Sequence, residues 1–156
     1  MTQPSAIGLI VPDFSLPATD GKVFQLAALR GQPLVIYFYP KDSTPGCTTE
    51  AGQFRDLHAE FAKAGGSIWG ISRDNLTSHE SFKAQMGLPF ELLCDAGETA
   101  CALFGVIKMK NLYGKQVRGI ERSTFLIDRV GRLAHEWRGV KADGHAAEVL
   151  AALQAL

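Results

Sequence analysis

The chain is poor in cysteine, with only Cys47, Cys94 and Cys101 among 156 residues. That excludes a dense disulfide framework and fits a reducing compartment, where an activated cysteine is more often catalytic than structural. No pair forms Cys-x-x-Cys, because Glu50 stands where the second thiol of a two-thiol exchange centre would be. Charge of one sign is also missing: 16 Lys plus Arg balance 16 Asp plus Glu, so nothing calls for nucleic acid or an anionic membrane. No apolar run approaches the about 20 residues that span a bilayer. Met1 to Ala6 lacks the basic start and apolar centre of a signal peptide, so a cytoplasmic protein is expected. Cys94 and Cys101 lack the paired short spacings of structural zinc, and no metal site is expected. Gly65-Gly66 is followed by no Lys-Ser/Thr and is no phosphate cradle. His58, His79, His135 and His145 fall in no partner motif for a Cys–His hydrolase, and surface positions are expected for them.

With 46% apolar and 21% charged residues, the composition suits one globular domain over residues 1–156. Pro4 to Pro17 reads as an extended lead-in, and Asp20-Gly21 as a turn before a short strand at Val23–Leu26. Leu34 to Tyr39 is apolar on both faces, the pattern of a central strand covered on both sides. Thr48 to Ala64 has helical spacing and stops at Gly65-Gly66. Ser67–Ser72 is a strand, Leu76–Met86 a helix, Phe90–Cys94 a strand and Glu98–Phe104 a short helix. Met109–Gln116 reads as a loop, with Lys108, Lys110, Lys115 and Arg118 solvated. Ser123–Asp128 and Arg132–Trp137 form a hairpin, and Gly144–Leu156 a closing helix. The order βα, βα, βα, hairpin, helix predicts an α/β fold: a mixed central sheet with helices on both faces.

The segment from Tyr39 to Glu50 carries the chemistry. In open α/β sheets the site lies beyond the carboxyl ends of strands, and Cys47 falls there, at the start of a helix. Unpaired N–H groups and the positive helix end favour thiolate over thiol. Thr44, three residues earlier, is close enough in a tight turn for its hydroxyl to face the sulfur, and it is equally placed to cap the helix. Pro40 and Pro45 stiffen the turn. Arg122, just before the Ser123 strand, is a candidate cation from elsewhere in the fold.

At these residues the chain resembles the peroxiredoxins. Pro40, Thr44 and Cys47 reproduce the spacing Pro-x-x-x-Thr-x-x-Cys. Tyr37–Asp42 and Thr44–Thr48 look like the bacterioferritin comigratory protein, or peroxiredoxin Q, branch. Glu121–Asp128 matches the segment that carries the family's active-site arginine, and Pro12–Phe14, Gly70–Ser72 and Leu88–Phe90 also fit. The similarity runs over nearly the full length. It implies a thioredoxin-like fold and a thiol peroxidase acting on hydrogen peroxide and organic hydroperoxides without metal or cofactor. By position, it makes Cys47 the nucleophile that becomes a sulfenic acid. Thr44 orients the peroxide, Arg122 stabilises the thiolate, and Pro40 shields the site. Glu50 bonds Arg122, and the N–H groups of Gly46 and Cys47 hold developing charge.

The second chemical step departs from the pattern. Many members of this branch place a resolving cysteine five residues after the first, where Gly52 stands here. Others place it near Phe82-Lys83, where there is none. Resolution by an external thiol such as glutathione, glutaredoxin or thioredoxin is therefore favoured. Cys101 or Cys94 remains an intramolecular alternative if local unfolding brings the Cα atoms within about 7 Å. A non-enzymatic redox sensor using Cys47 is a further alternative. The branch is often monomeric, and an apolar patch at the active-site loop would allow a weak dimer.

Overall fold

The computed structural model describes residues 5–156, so Pro4 of the expected lead-in lies outside the described residues. Strands β1 (Ser15–Pro17) and β2 (Val23–Gln25) pair across Asp20-Gly21. Both turn residues take positive φ, 61° and 66°, which Asp and Gly tolerate. The chain continues as β3 (Leu34–Phe38), α1 (Pro45–Asp56), α2 (His58–Lys63), β4 (Ser67–Ser72), α3 (Leu76–Met86), β5 (Leu92–Cys94) and α4 (Thr99–Phe104). It ends with β6 (Ile107–Leu112), β7 (Lys115–Ile120), β8 (Ser123–Ile127), β9 (Leu133–Arg138) and α5 (His145–Gln154).

The central sheet has the order β5-β4-β3-β8-β9. Helical crossovers make β3, β4 and β5 parallel, whereas β8 runs antiparallel to both β3 and β9. All five residues of β3 are buried, as its continuous apolarity predicts. Alternate side chains feed two cores. Leu34, Ile36 and Phe38 join Phe104 of α4, Phe125 of β8 and the β1–β2 hairpin on one face. Val35 and Tyr37 join Phe54 of α1, Phe61 of α2, Phe82 of α3 and Val149 of α5 on the other. The expected mixed sheet with helices on both faces is thus present.

Two expectations need correction. The helix expected over Thr48–Ala64 starts earlier, with Pro45 at its first position, where a missing N–H costs nothing. It also breaks at Leu57 (φ −98°, ψ 4°) into α1 and α2. The expected loop at Met109–Gln116 is instead the β6–β7 hairpin, a separate two-stranded sheet. Leu112 pairs with Lys115 across Tyr113-Gly114, whose φ values of 52° and 78° suit a tight two-residue hairpin turn. Most of the hairpin is solvent-exposed, so no alternation between a core face and a water face marks it in the sequence. Among the described residues, no helix is long and apolar enough to cross a membrane.

Candidate active site

Cys47 lies beyond the carboxyl end of β3, in the first turn of α1. Thr44 occupies the N-cap in an extended conformation (φ −88°, ψ 156°). Its carbonyl accepts the Thr48 N–H at 2.9 Å, while the N–H groups of Gly46 and Cys47 make no protein hydrogen bond among the described residues. Two donors at the positive end of the helix are therefore left beside the sulfur. The thiol itself is only 1% exposed and packs in the core under α1, more buried than its polar sequence neighbourhood indicates.

Sheet register explains how Arg122 arrives. Ser123 of β8 pairs with Phe38, the last residue of β3, so the preceding residue stands next to the turn that starts α1. Arg122 Nη2 donates to Cys47 Sγ at 3.4 Å, and Nη1 donates to Glu50 Oε1 at 2.7 Å. Cys47 and Glu50 are three apart on one helix and share a face, which lets a single guanidinium serve both. Gly46 makes this approach feasible. A Cβ there would lie 3.0 Å from Arg122 Nη2, tighter than an ordinary contact.

The two ends of this ion pair respond differently to burial. Glu50 has no exposure, and burial pushes its pKa up to about 7 against the pull of Arg122. Its Oε2 has no hydrogen-bond partner among the described residues. Burial also works against the Arg122 charge, but Glu50 and Cys47 outweigh it and raise the guanidinium pKa. Arg122 keeps 15% side-chain exposure and Glu50 none, which is why the cation prevails and the carboxylate does not. Beneath them, burial and then the charges of Glu50 and Cys47 push the Tyr37 phenol well above its ordinary range. At the rim, burial and then Arg122 lower the pKa of Lys110 on β6.

Thr44 sits at the helix cap but does not cap with its side chain. Its hydroxyl donates to Lys41 O at 2.8 Å, so its single proton is committed and its oxygen can only accept from a ligand. Pro40, half-buried, lies two residues beyond the end of β3. Behind this turn lies a polar network that sequence reasoning missed. Tyr39 Oη donates to Asp42 Oδ1 (2.6 Å), and Ser78 Oγ donates to Asp42 Oδ2 (2.8 Å). His79 bridges Asp42 Oδ2 (2.7 Å) and the Leu93 carbonyl (2.9 Å). Burial pushes the Asp42 carboxyl up, but bonds from His79 and Tyr39 outweigh it and hold the pKa below the ordinary carboxylate value. Asp74, Asp42 and His79 group closely enough to hold a metal ion, yet their polar atoms are already bonded to one another and to Ser72 and Ser78. Asp42 inside the Pro-Lys-Asp turn was the available signal.

His79 and His145 correct the expected surface placement of the histidines: they are 0% and 2% exposed. Each is tolerated because its ring is hydrogen-bonded, His79 as above and His145 to Thr124 Oγ1 at 2.8 Å.

All three cysteines are free. Cys101 is fully buried on α4, and burial, followed by the neighbouring Asp95, raises its thiol pKa far above the usual range. Its backbone N–H donates to Asp95 Oδ2 at 2.7 Å, and its surroundings are those of a packing residue. Cys94 ends β5 and is partly exposed.

The sequence pattern of the AhpC/TSA family matches residues 7–136. The chain is 54% identical over 143 residues to peroxiredoxin Bcp of Xanthomonas campestris, covering 92% of this chain and 89% of that protein. It is 48% identical to peroxiredoxin Bcp of Bacillus subtilis, covering 95% and 94%. Among solved structures, the X. campestris bacterioferritin comigratory protein, studied for its alkyl peroxide reduction activity, superposes with a TM-score of 0.90 at 51% identity. That match covers 96% of this chain and 98% of the other. A sequence likeness of this extent, joined to the same fold, establishes that the chain belongs to the AhpC/TSA family, in its Bcp or peroxiredoxin Q branch of thiol peroxidases.

Proposed function

We propose that Cys47 is the attacking sulfur of this thiol peroxidase, and that its substrates are hydrogen peroxide and organic hydroperoxides. The observation that carries this reading is the Arg122 guanidinium, which donates to Cys47 Sγ at 3.4 Å. A cation there favours the thiolate, which is the reactive form. The alkyl peroxide activity studied in the X. campestris relative supports the organic substrates.

In this mechanism the thiolate attacks the terminal peroxide oxygen and forms an S–O bond as the O–O bond breaks. The leaving oxygen takes a proton and departs as water or alcohol, leaving Cys47 as a sulfenic acid. Arg122 and the N–H groups of Gly46 and Cys47 stabilise the charge that develops on the oxygens. Thr44 accepts the hydrogen bond of the peroxide O–H, and Pro40 limits water. Glu50 anchors Arg122.

An external thiol then resolves the sulfenic acid: glutathione, glutaredoxin or thioredoxin. Gly52, the absence of cysteine near Phe82-Lys83, and the deep burial of Cys101 support this. With Cys47 only 1% exposed, the first turn of α1 must loosen before a second thiol can reach it. We take residues 1–156 to act as one thioredoxin-like unit in the cytoplasm, as a monomer or weak dimer, without metal or cofactor. One equivalent of hydrogen peroxide followed by disulfide mapping tests the scheme. Mixed disulfides of Cys47 with the added thiol are expected. A Cys47–Cys94 or Cys47–Cys101 bond refutes external resolution, and unchanged turnover in Cys47→Ser refutes the nucleophile.

A further inference from the structure

Glu50 shares one cation with the sulfur of Cys47: Arg122 donates to both, while the other carboxyl oxygen of Glu50 is buried with no partner among the described residues. The titratable groups around them supply no second cation to Glu50. Tyr37 on β3 is held neutral by burial, and Asp42 is bound into its own network. Burial and then Arg122 lower the pKa of Lys110 on β6, which makes no bond to Glu50, and burial likewise disfavours a charged His145 on α5. Among the described residues, Arg122 is thus the one cation hydrogen-bonded to both Cys47 and Glu50, two groups that can each become an anion. A buried charge left without a partner is heavily penalised, so the two are not both ionised at no cost.

We propose that Glu50 keeps a proton while Cys47 is a thiolate and releases it when Cys47 is oxidised, so that the site itself holds the proton consumed in peroxide cleavage. This rests on Cys47 being the nucleophile. The sulfur electron pair forms the S–O bond, and the O–O bond breaks with its pair on the leaving oxygen. That oxygen takes one proton and departs as water or alcohol, the peroxide reduced and the sulfur oxidised. Cys47 is then a neutral sulfenic acid, and Glu50, now a carboxylate, is the only anion left on Arg122. The site carries one negative charge from this pair before and after. Glu50 is a positioning and proton-holding residue: it acts through Arg122 and through water that passes the proton on. Its burial-raised pKa, about 7, is consistent with a group able to exist in both forms.

The test counts protons. Reduced protein in weak buffer at pH 6, below the Glu50 pKa of about 7, with an indicator dye, receives one equivalent of hydrogen peroxide, and proton uptake is measured per sulfenic acid formed. The wild type is expected to take up well under one proton per sulfur. Glu50→Gln keeps an oxygen acceptor for Arg122 but has no proton to give, and is expected to take up one. A merely structural role would change the rate but not this stoichiometry. Equal uptake in the two proteins overturns the proposal. Should the Gln variant not fold, the infrared difference spectrum of the wild type decides. Loss of a protonated-carboxyl C=O band on oxidation supports the proposal, and no such loss overturns it. Mass spectrometry locates the oxidised sulfur, and oxidation elsewhere than Cys47 overturns the nucleophile assignment itself and this inference with it.

Discussion

Gly46→Ala offers a perturbation in which stability and activity are expected to move in opposite directions. Gly46 is the second residue of α1 and has ordinary helical backbone, so alanine suits the helix better by up to about 1 kcal/mol. The new Cβ, however, would stand 3.0 Å from Arg122 Nη2 and 3.7 Å from Cζ. The guanidinium must retreat by a few tenths of an ångström, and it cannot do so freely because Nη1 is held by Glu50 at 2.7 Å. The bond that lengthens is the one to Cys47 Sγ, already 3.4 Å. A hydrogen bond to a charged group contributes about 1.5–3 kcal/mol. Losing half or more of it, about 1–2 kcal/mol, slows sulfur oxidation about 5-fold to 30-fold. Stopped-flow measurement of Cys47 oxidation, beside urea denaturation, checks both halves. A variant that reacts as fast as the wild type refutes the claim that Gly46 exists to admit Arg122.

Two more outcomes are expected. Gly70→Ala on β4 would place a Cβ 2.8 Å from Leu92 Cδ2 and 2.9 Å from the Tyr37 hydroxyl, so overpacking should destabilise the fold by about 1–3 kcal/mol in urea titrations, and an unchanged midpoint contradicts the tight packing. Glu50 should make stability fall as pH rises: its folded-state pKa of about 7 exceeds the ordinary 4.5, so the folded protein holds the extra proton between those values and ionisation costs about 3 kcal/mol by pH 8. Glu50→Gln should therefore gain stability relative to wild type at pH 8 but not at pH 4, and a difference that does not change with pH rejects the buried-acid reading.

How much of this was readable beforehand follows from which forces act locally. The all-apolar run from Leu34 to Tyr39 marks the central strand because a strand covered on both faces has no polar alternation. The Pro- and Gly-rich turn placed Cys47 at a helix start, but Pro45, read only as stiffening that turn, is the first residue of α1 and went unused as its marker. The β6–β7 hairpin was hidden because its exposed faces carry no core pattern, leaving Tyr113-Gly114 as the signal that went unused. Burial of His79 and His145 was hidden for a different reason. A histidine is acceptable in a core only when distant partners satisfy its ring, and Asp42, Leu93 and Thr124 reach those rings from 14 to 37 positions away. The pairing of Arg122 with Glu50 crosses 72 positions, and only the family resemblance, not local pattern, pointed to it.

The geometry also links activation of the sulfur to its later exposure. Arg122 reaches Cys47 and Glu50 from the base of β8, and both lie in the first half of α1, so the guanidinium is a clasp across the start of that helix. Its hold on Cys47 is strong only while the sulfur is charged, since charge-assisted bonds are about twice as strong as neutral ones. A sulfenic acid is neutral, so oxidation weakens the Cys47 side of the clasp. Thr44 adds little resistance, because its hydroxyl bonds Lys41 and leaves the helix end without a side-chain cap. On the proposed mechanism, the first turn is thus held best while Cys47 is a thiolate and least once that sulfur, only 1% exposed, is a sulfenic acid awaiting a second thiol. If an outside thiol resolves Cys47, as proposed for a chain without a cysteine at position 52 or near position 82, that loosening would be its route of access.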